Sequence, residues 1–180
     1  METARELFVH ELNDMLDAEH KLIKALGELA EQSSRPELQK AFTSHQKQTE
    51  EQARRVEQVL EELDESSEGT ECKGIKGLIE EQKTFVEDEE PSEDLRDIFN
   101  VGAASKVEAY EIQAYTSLSR MAQELGLRRG KQLLDRNLRE EQQTLKKLES
   151  LSKKLKPENP GMEETEDEIE RPKSRRGRAA

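Results

Sequence analysis

A chain of 180 residues with 32% hydrophobic and 39% charged positions suits one domain built from narrow amphipathic helices, with residues to spare. Its net charge of −12 opposes general affinity for nucleic acid or an anionic membrane, because phosphate repels such a surface. The single cysteine, Cys72, excludes an intramolecular disulfide and fits a reducing compartment.

Thr3 and Glu6 form a T-x-x-E capping box that opens the first helix. Its apolar stripe runs through Val9, Leu12, Leu16, Ile23, Leu26 and Ala30 at spacings of three and four, and Glu19 stands within that stripe. Gly27 interrupts the helix and marks a close crossing. Ser34 with Glu37 predicts a second capping box, and Pro36 fits the first turn of the next helix, where its missing N–H is harmless. That second helix buries Leu38, Phe42, Val56, Val59 and Leu63, with His45 in the stripe and Gln48, Thr49 and Gln52 around it. An acidic, serine-rich run follows, then Cys72, read as a spare small residue rather than a reactive thiol.

A short helix is predicted from about 74 to 88, with Ile75, Leu78, Ile79, Phe85 and Val86 on its apolar side. It is too short to span a bundle and reads as part of a crossover. Ser92 is the expected cap of the next long helix, whose inward positions are Leu95, Ile98, Val101, Ala104, Tyr115, Leu118, Ala122 and Leu125. Glu108 and Glu111 fall in the same stripe, and Gly126 is a stop. The last helix, about 128–156, turns Leu134, Leu138, Leu145, Leu148, Leu151 and Leu155 inward around Glu141, and Pro157 ends it.

These elements predict an all-α fold, a four-helix bundle over 1–156 with a short extra crossover helix between the second and third long helices. Short turns make the first and last pairs antiparallel. The long middle connection allows the inner pair to run parallel, the ferritin-like arrangement; a plain up-down-up-down bundle is the alternative. Residues 157–180 carry an acidic block, then the basic end RPKSRRGR, and too little apolar surface for a core, so a disordered tail is expected. Its basic end offers at most weak contact with DNA or anionic lipid, and a solvated polyampholyte describes it equally. No stretch approaches the roughly 20 apolar residues of a bilayer span. METARELFVHEL lacks the basic start and apolar run of a secretion signal, so a cytoplasmic protein with no membrane partner is expected.

Five potential metal ligands therefore stand where the pattern calls for leucines: Glu19, His45, Glu108, Glu111 and Glu141. A buried carboxylate without a partner costs several kcal/mol or takes up a proton, so a bundle that gathers four favours a cation among them. Glu108 and Glu111, three apart, share a helix face, and like charges that close resist joint ionisation. Carboxylates with one imidazole suit iron or manganese, as two ions, one or none. A water-filled polar core, hydrogen-bonded through Gln52, Thr49 and Tyr115, is the bland alternative. His10 and His20 lie beside the stripe and are expected at the surface; Met15 and Met121 read as core filler.

The stretches DAEHKLIKAL, ELQKAFTSHQKQTE, CKGIKGLIEE, KVEAYEIQAY and LREEQQTLKKL, in this order and at bundle spacing, carry a resemblance to the YciF-like branch of the ferritin-like proteins. It covers about 7–151. The resemblance implies a ferritin-like fold, a homodimer, a di-iron-type site and a role in bacterial stress. The chain departs from the family pattern at Ala109, where a His often follows the first Glu of the KVE segment, at Leu145 in place of an acid, and at Gln48 in place of a Glu. The expected function is a stress-response protein whose iron or manganese site oxidises Fe(II) or consumes peroxide. Whether it turns over as a di-metal-carboxylate oxidoreductase is open. The alternative is a metal-free bundle acting through dimerisation or partner binding.

Overall fold

The computed structural model describes residues 1–66 and 69–161, and within them the chain is all-α. Its helices are α1 (Ala4–Gln32), α2 (Pro36–Glu62), α3 (Lys73–Glu89), α4 (Glu93–Glu124) and α5 (Arg128–Ser152). The acidic block and the basic end of the expected tail lie outside the described residues.

Expected capping holds at the start of α1 and the end of α4, and two other expected caps need correction. Thr3 and Glu6 form the predicted box at the start of α1. At the start of α2 the N-cap is Arg35, with no side-chain cap bond. Ser34 instead donates its backbone N–H (3.0 Å) and its hydroxyl (2.7 Å) to the buried carboxylate of Asp97 on α4. A long-range acceptor outcompetes the local box. Ser92 does occupy the N-cap of α4, but its hydroxyl donates to Asp94 (2.5 Å) rather than capping the backbone. Gly126, at φ +74°, ends α4 as expected: its N–H donates to Gln123 and that of Leu127 to Ala122, the paired bonds of a Schellman motif.

Contacts between helices fix the directions. Asp97, near the start of α4, meets Ser34 at the end of α1, so those two run antiparallel. Arg55, late in α2, meets Asn137 and Glu140, early in α5, so that pair is antiparallel too. With short turns joining α1 to α2 and α4 to α5, the inner helices α2 and α4 are parallel, which is the ferritin-like topology. Helix α3 lies over the groove between α1 and α4. Cys72 at its start bonds Asp17 and Tyr110, Gln82 bonds Gln32 and Asn100, and Phe85 stacks on Phe99 at 3.7 Å. Cys72 is thus an inert, fully buried wedge: burial pushes its thiol pKa up, and its Sγ sits 3.4 Å from the Tyr110 hydroxyl.

The apolar interior forms two clusters. One gathers Phe8, Leu12, Leu16, Val56, Val59, Leu118 and Leu134. The other gathers Leu26, Leu38, Phe42, Val101, Ala104 and Leu148. Between them along the bundle axis lies a polar layer. Leu95, expected inward, is 44% exposed, and Asp97 and Asn100 are buried instead. Helix α4 touches α1, α3 and α5, so it buries several faces rather than one stripe. No helix among the described residues is long and apolar enough to cross a membrane.

Candidate metal centre

Each stripe position occupied by a potential ligand rides on a helix whose neighbouring turns are held by leucine and valine, so the polar side chains have nowhere to go but inward. Glu19, Glu108, Glu111 and Glu141 are each at most 1% exposed, and His45 is 6% exposed. One ligand atom from each of His45, Glu108, Glu111 and Glu141 lies within 4.8 Å of all the others. Two donors on opposite sides of an ion, each at about 2.2 Å, are about 4.4 Å apart, so these atoms can share one with small adjustments. Glu19 stands outside that group of four. It faces the same layer but binds the hydroxyl of Tyr115, which donates to Glu19 Oε1.

The hydrogen bonds leave a consistent remainder. His45 Nε2 is 2.7 Å from Glu108 Oε1. In the tautomer that donates from Nε2, Nδ1 keeps a lone pair with no partner. The Gln52 side-chain amide donates to Glu141 Oε1, and its own oxygen is left over. In all, six buried acceptors lack a partner: Glu19 Oε2, His45 Nδ1, Gln52 Oε1, Glu108 Oε2, Glu111 Oε2 and Glu141 Oε2. Acceptors that converge without donors are the complement of a cation.

Electrostatics agree. Burial, and then the charge of Glu141, hold Glu19 and Glu111 far above the ordinary carboxylate range. Burial followed by Glu108 does the same to Glu141. Burial lifts Glu108 to about 7. Burial also lowers the pKa of His45, so its ring is neutral and able to ligate. Without a cation the layer holds protons; a divalent ion replaces them with fixed charge.

A supporting network was not visible in the sequence pattern. Asn137 donates to the Tyr115 hydroxyl (2.9 Å) and to the Gln52 carbonyl (3.2 Å). Its own oxygen accepts from Arg55 (2.5 Å), whose guanidinium also grips Glu140 (2.7 and 3.2 Å). Arg55 is three residues from Gln52, and Asn137 four from Glu141. That shared face was the available signal. Of the polar groups assigned to the layer, Tyr115 and Gln52 do contact the acids. Thr49 does not; its hydroxyl donates to the carbonyl of His45. His10 and His20 are exposed, as expected.

Comparison with known proteins bears on this arrangement. Residues 3–159 match the family described as "Domain of unknown function (DUF892)". The chain is 39% identical over 153 residues to Protein YciF of Escherichia coli, covering 84% of this chain and 92% of that one. The crystal structure of that E. coli stress protein superposes with a TM-score of 0.80 at 38% identity, covering 84% and 96% of the two chains. YcfI of Rhodopseudomonas palustris gives 0.79 at 34% identity, covering 83% and 94%. A protein of Xanthomonas campestris, 21% identical with a TM-score of 0.68, over 84% of this chain and 92% of its own, shares the fold alone.

Proposed function

This chain belongs to the DUF892 family, the YciF-like branch of the ferritin-like superfamily, and on that premise we propose that it is a stress-response protein binding iron or manganese at the centre of its bundle. The observation that carries the reading is the set of six buried acceptors, drawn from all four long helices, that meet no amide, imidazole or hydroxyl donor. His45, Glu108, Glu111 and Glu141 would hold one ion, and Glu19, with Glu111 and Glu141, the edge of a second. A bound redox metal would supply one-electron chemistry, so that two Fe(II) reduce one dioxygen, with two protons, to hydrogen peroxide. The chain's part is to present neutral imidazole and ionised carboxylates from rigid helices. Gln52 and Tyr115 each hold one oxygen of Glu141 and Glu19, leaving the other free to bind. The two apolar clusters above and below exclude bulk water.

A metal-free bundle acting through dimerisation or a partner is the second reading. It draws on the same Tyr115 and Gln52 bonds, which satisfy one oxygen of each of two acids without an ion. The two separate by thermal unfolding of metal-stripped protein with and without Mn(II), or Fe(II) under anaerobic conditions. An ion at a hundred times its dissociation constant stabilises by about 2.7 kcal/mol, raising Tm by roughly 5–10 °C. Replacing both Glu108 and Glu111 by Gln removes that gain. No shift with either ion leaves the metal-free reading.

The proposal places the protein in the cytoplasm as a homodimer, with 1–156 as its folded domain. Sedimentation tests the dimer. A chain ending at Gly161 tests the domain boundary, with Tm expected to hold within about 1–2 °C.

A further inference from the structure

His45 lies at the meeting point of two unlike cavities. One, about 90 Å³, opens between α2 and α5 and is lined in part by Ser44, Gln48, Thr144 and Lys147. The other, about 30 Å³, lies beneath α3 between α1 and α4 and ends at His45 and Glu108. Its walls are apolar: Leu22, Leu26, Leu78, Ala104 and Val107 are among them. Ala25 and Ile79 line it too, and both also line a surface groove of about 260 Å³ between α1 and α3. These two side chains are shared walls between the groove and the smaller cavity.

We propose that the 30 Å³ cavity is a subsite for a neutral, apolar molecule of two heavy atoms, of the dioxygen class, reached from the groove past Ala25 and Ile79. The inference rests on the metal-centre reading for its consequence but not for its existence. Size limits the occupant. A single water needs about 10–15 Å³ on this scale, so the space holds a diatomic and no larger substrate. Chemistry limits it further. Water needs two to four polar partners, and the walls away from His45, Gln82 and Glu108 offer none, so that stretch favours an apolar occupant, for which xenon is the probe. Hydrogen peroxide would bring two O–H donors. Away from His45 and Glu108 the cavity offers them a single side-chain acceptor, the carbonyl oxygen of Gln82, whose amide nitrogen donates to Asn100 (2.8 Å) and Gln32 (3.3 Å). The cleft on the other side of His45 mixes Phe42 and Leu148 with Ser44, Gln48, Thr144 and Lys147, and these four polar side chains make it the better path for peroxide and for ions. The centre is thereby served by two routes that sort reactants by polarity.

Crystals of the metal-free protein under xenon pressure test the subsite directly, with a xenon atom expected against Leu22, Ala104 and Val107. Ala104→Leu fills the cavity from α4. Ala25→Leu narrows its neck at a half-buried position beside the groove. In both, the Mn(II) thermal shift should equal that of the natural protein. Oxidation of bound Fe(II) by dioxygen should slow about tenfold or more while oxidation by peroxide stays within about twofold. Absence of xenon overturns the proposal whatever the metal results. So do unchanged dioxygen rates in both variants, or equal slowing with both oxidants. If the natural protein takes up no metal, the functional reading fails, and xenon occupancy alone decides the subsite.

Discussion

Replacing Glu108 by Gln should make the metal-free protein more stable while removing its response to metal. Burial raises Glu108 from the ordinary 4.5 to about 7 in the fold. Between those values the folded state holds a proton that the unfolded chain has lost, so stability falls as pH rises through that window and is level above it. Integrated, this group alone costs about 3 kcal/mol at pH 8 and under about 1 kcal/mol at pH 5. The amide keeps an oxygen to accept from His45 Nε2, and its added N–H groups face the free oxygens of Glu111 and Glu141. Urea unfolding in the presence of a chelator should show Glu108→Gln more stable by about 2–3 kcal/mol at pH 8, or roughly 5–10 °C in Tm, with the gap shrinking to about 1 kcal/mol at pH 5. Mn(II) should then stabilise the natural protein and not the variant. A variant that is no more stable at pH 8, or a gap that does not narrow on acidification, would refute the picture of a desolvated acid cluster.

The metal-free natural protein should lose stability steadily from pH 5 to 8, because Glu19, Glu111 and Glu141 are raised in the same direction as Glu108. The lowered pKa of His45 opposes this only below about 6.5, where the unfolded ring still takes up a proton. Tyr115→Phe strips the donor from Glu19 and leaves one N–H of the Asn137 amide without its acceptor, so chelated protein should lose about 1–3 kcal/mol at pH 8 by urea titration. Asp97→Ala releases the α1–α2 turn, costing about 1–2 kcal/mol, and should leave the Mn(II) shift unchanged because the turn is remote from the acid layer. An equal loss of metal response in that variant would show the two regions to be coupled.

Apolar spacing alone specified α1, α2 and α5, since a helix that buries one face writes that face into its sequence every three or four residues. It also put all five polar intruders inside, because a residue in the stripe shares the direction of its neighbours. Capping chemistry was local where it succeeded, at Thr3 and Gly126, and failed at Ser34, where Asp97, 63 residues away, offered a better acceptor. Helix α4 was the hardest to read. Packed against α1, α3 and α5, it buries Asp97 and Asn100 and exposes Leu95, and a one-stripe rule cannot anticipate that. Which acids meet which partners belonged to tertiary structure alone. The rise and rotation of four helices decide that Tyr115 reaches Glu19, that Asn137 joins Tyr115 to Arg55, and that Glu19 stands apart from the other four candidate ligands. Periodicity records a direction for each side chain; the level at which two helices face one another is set only when the whole bundle packs.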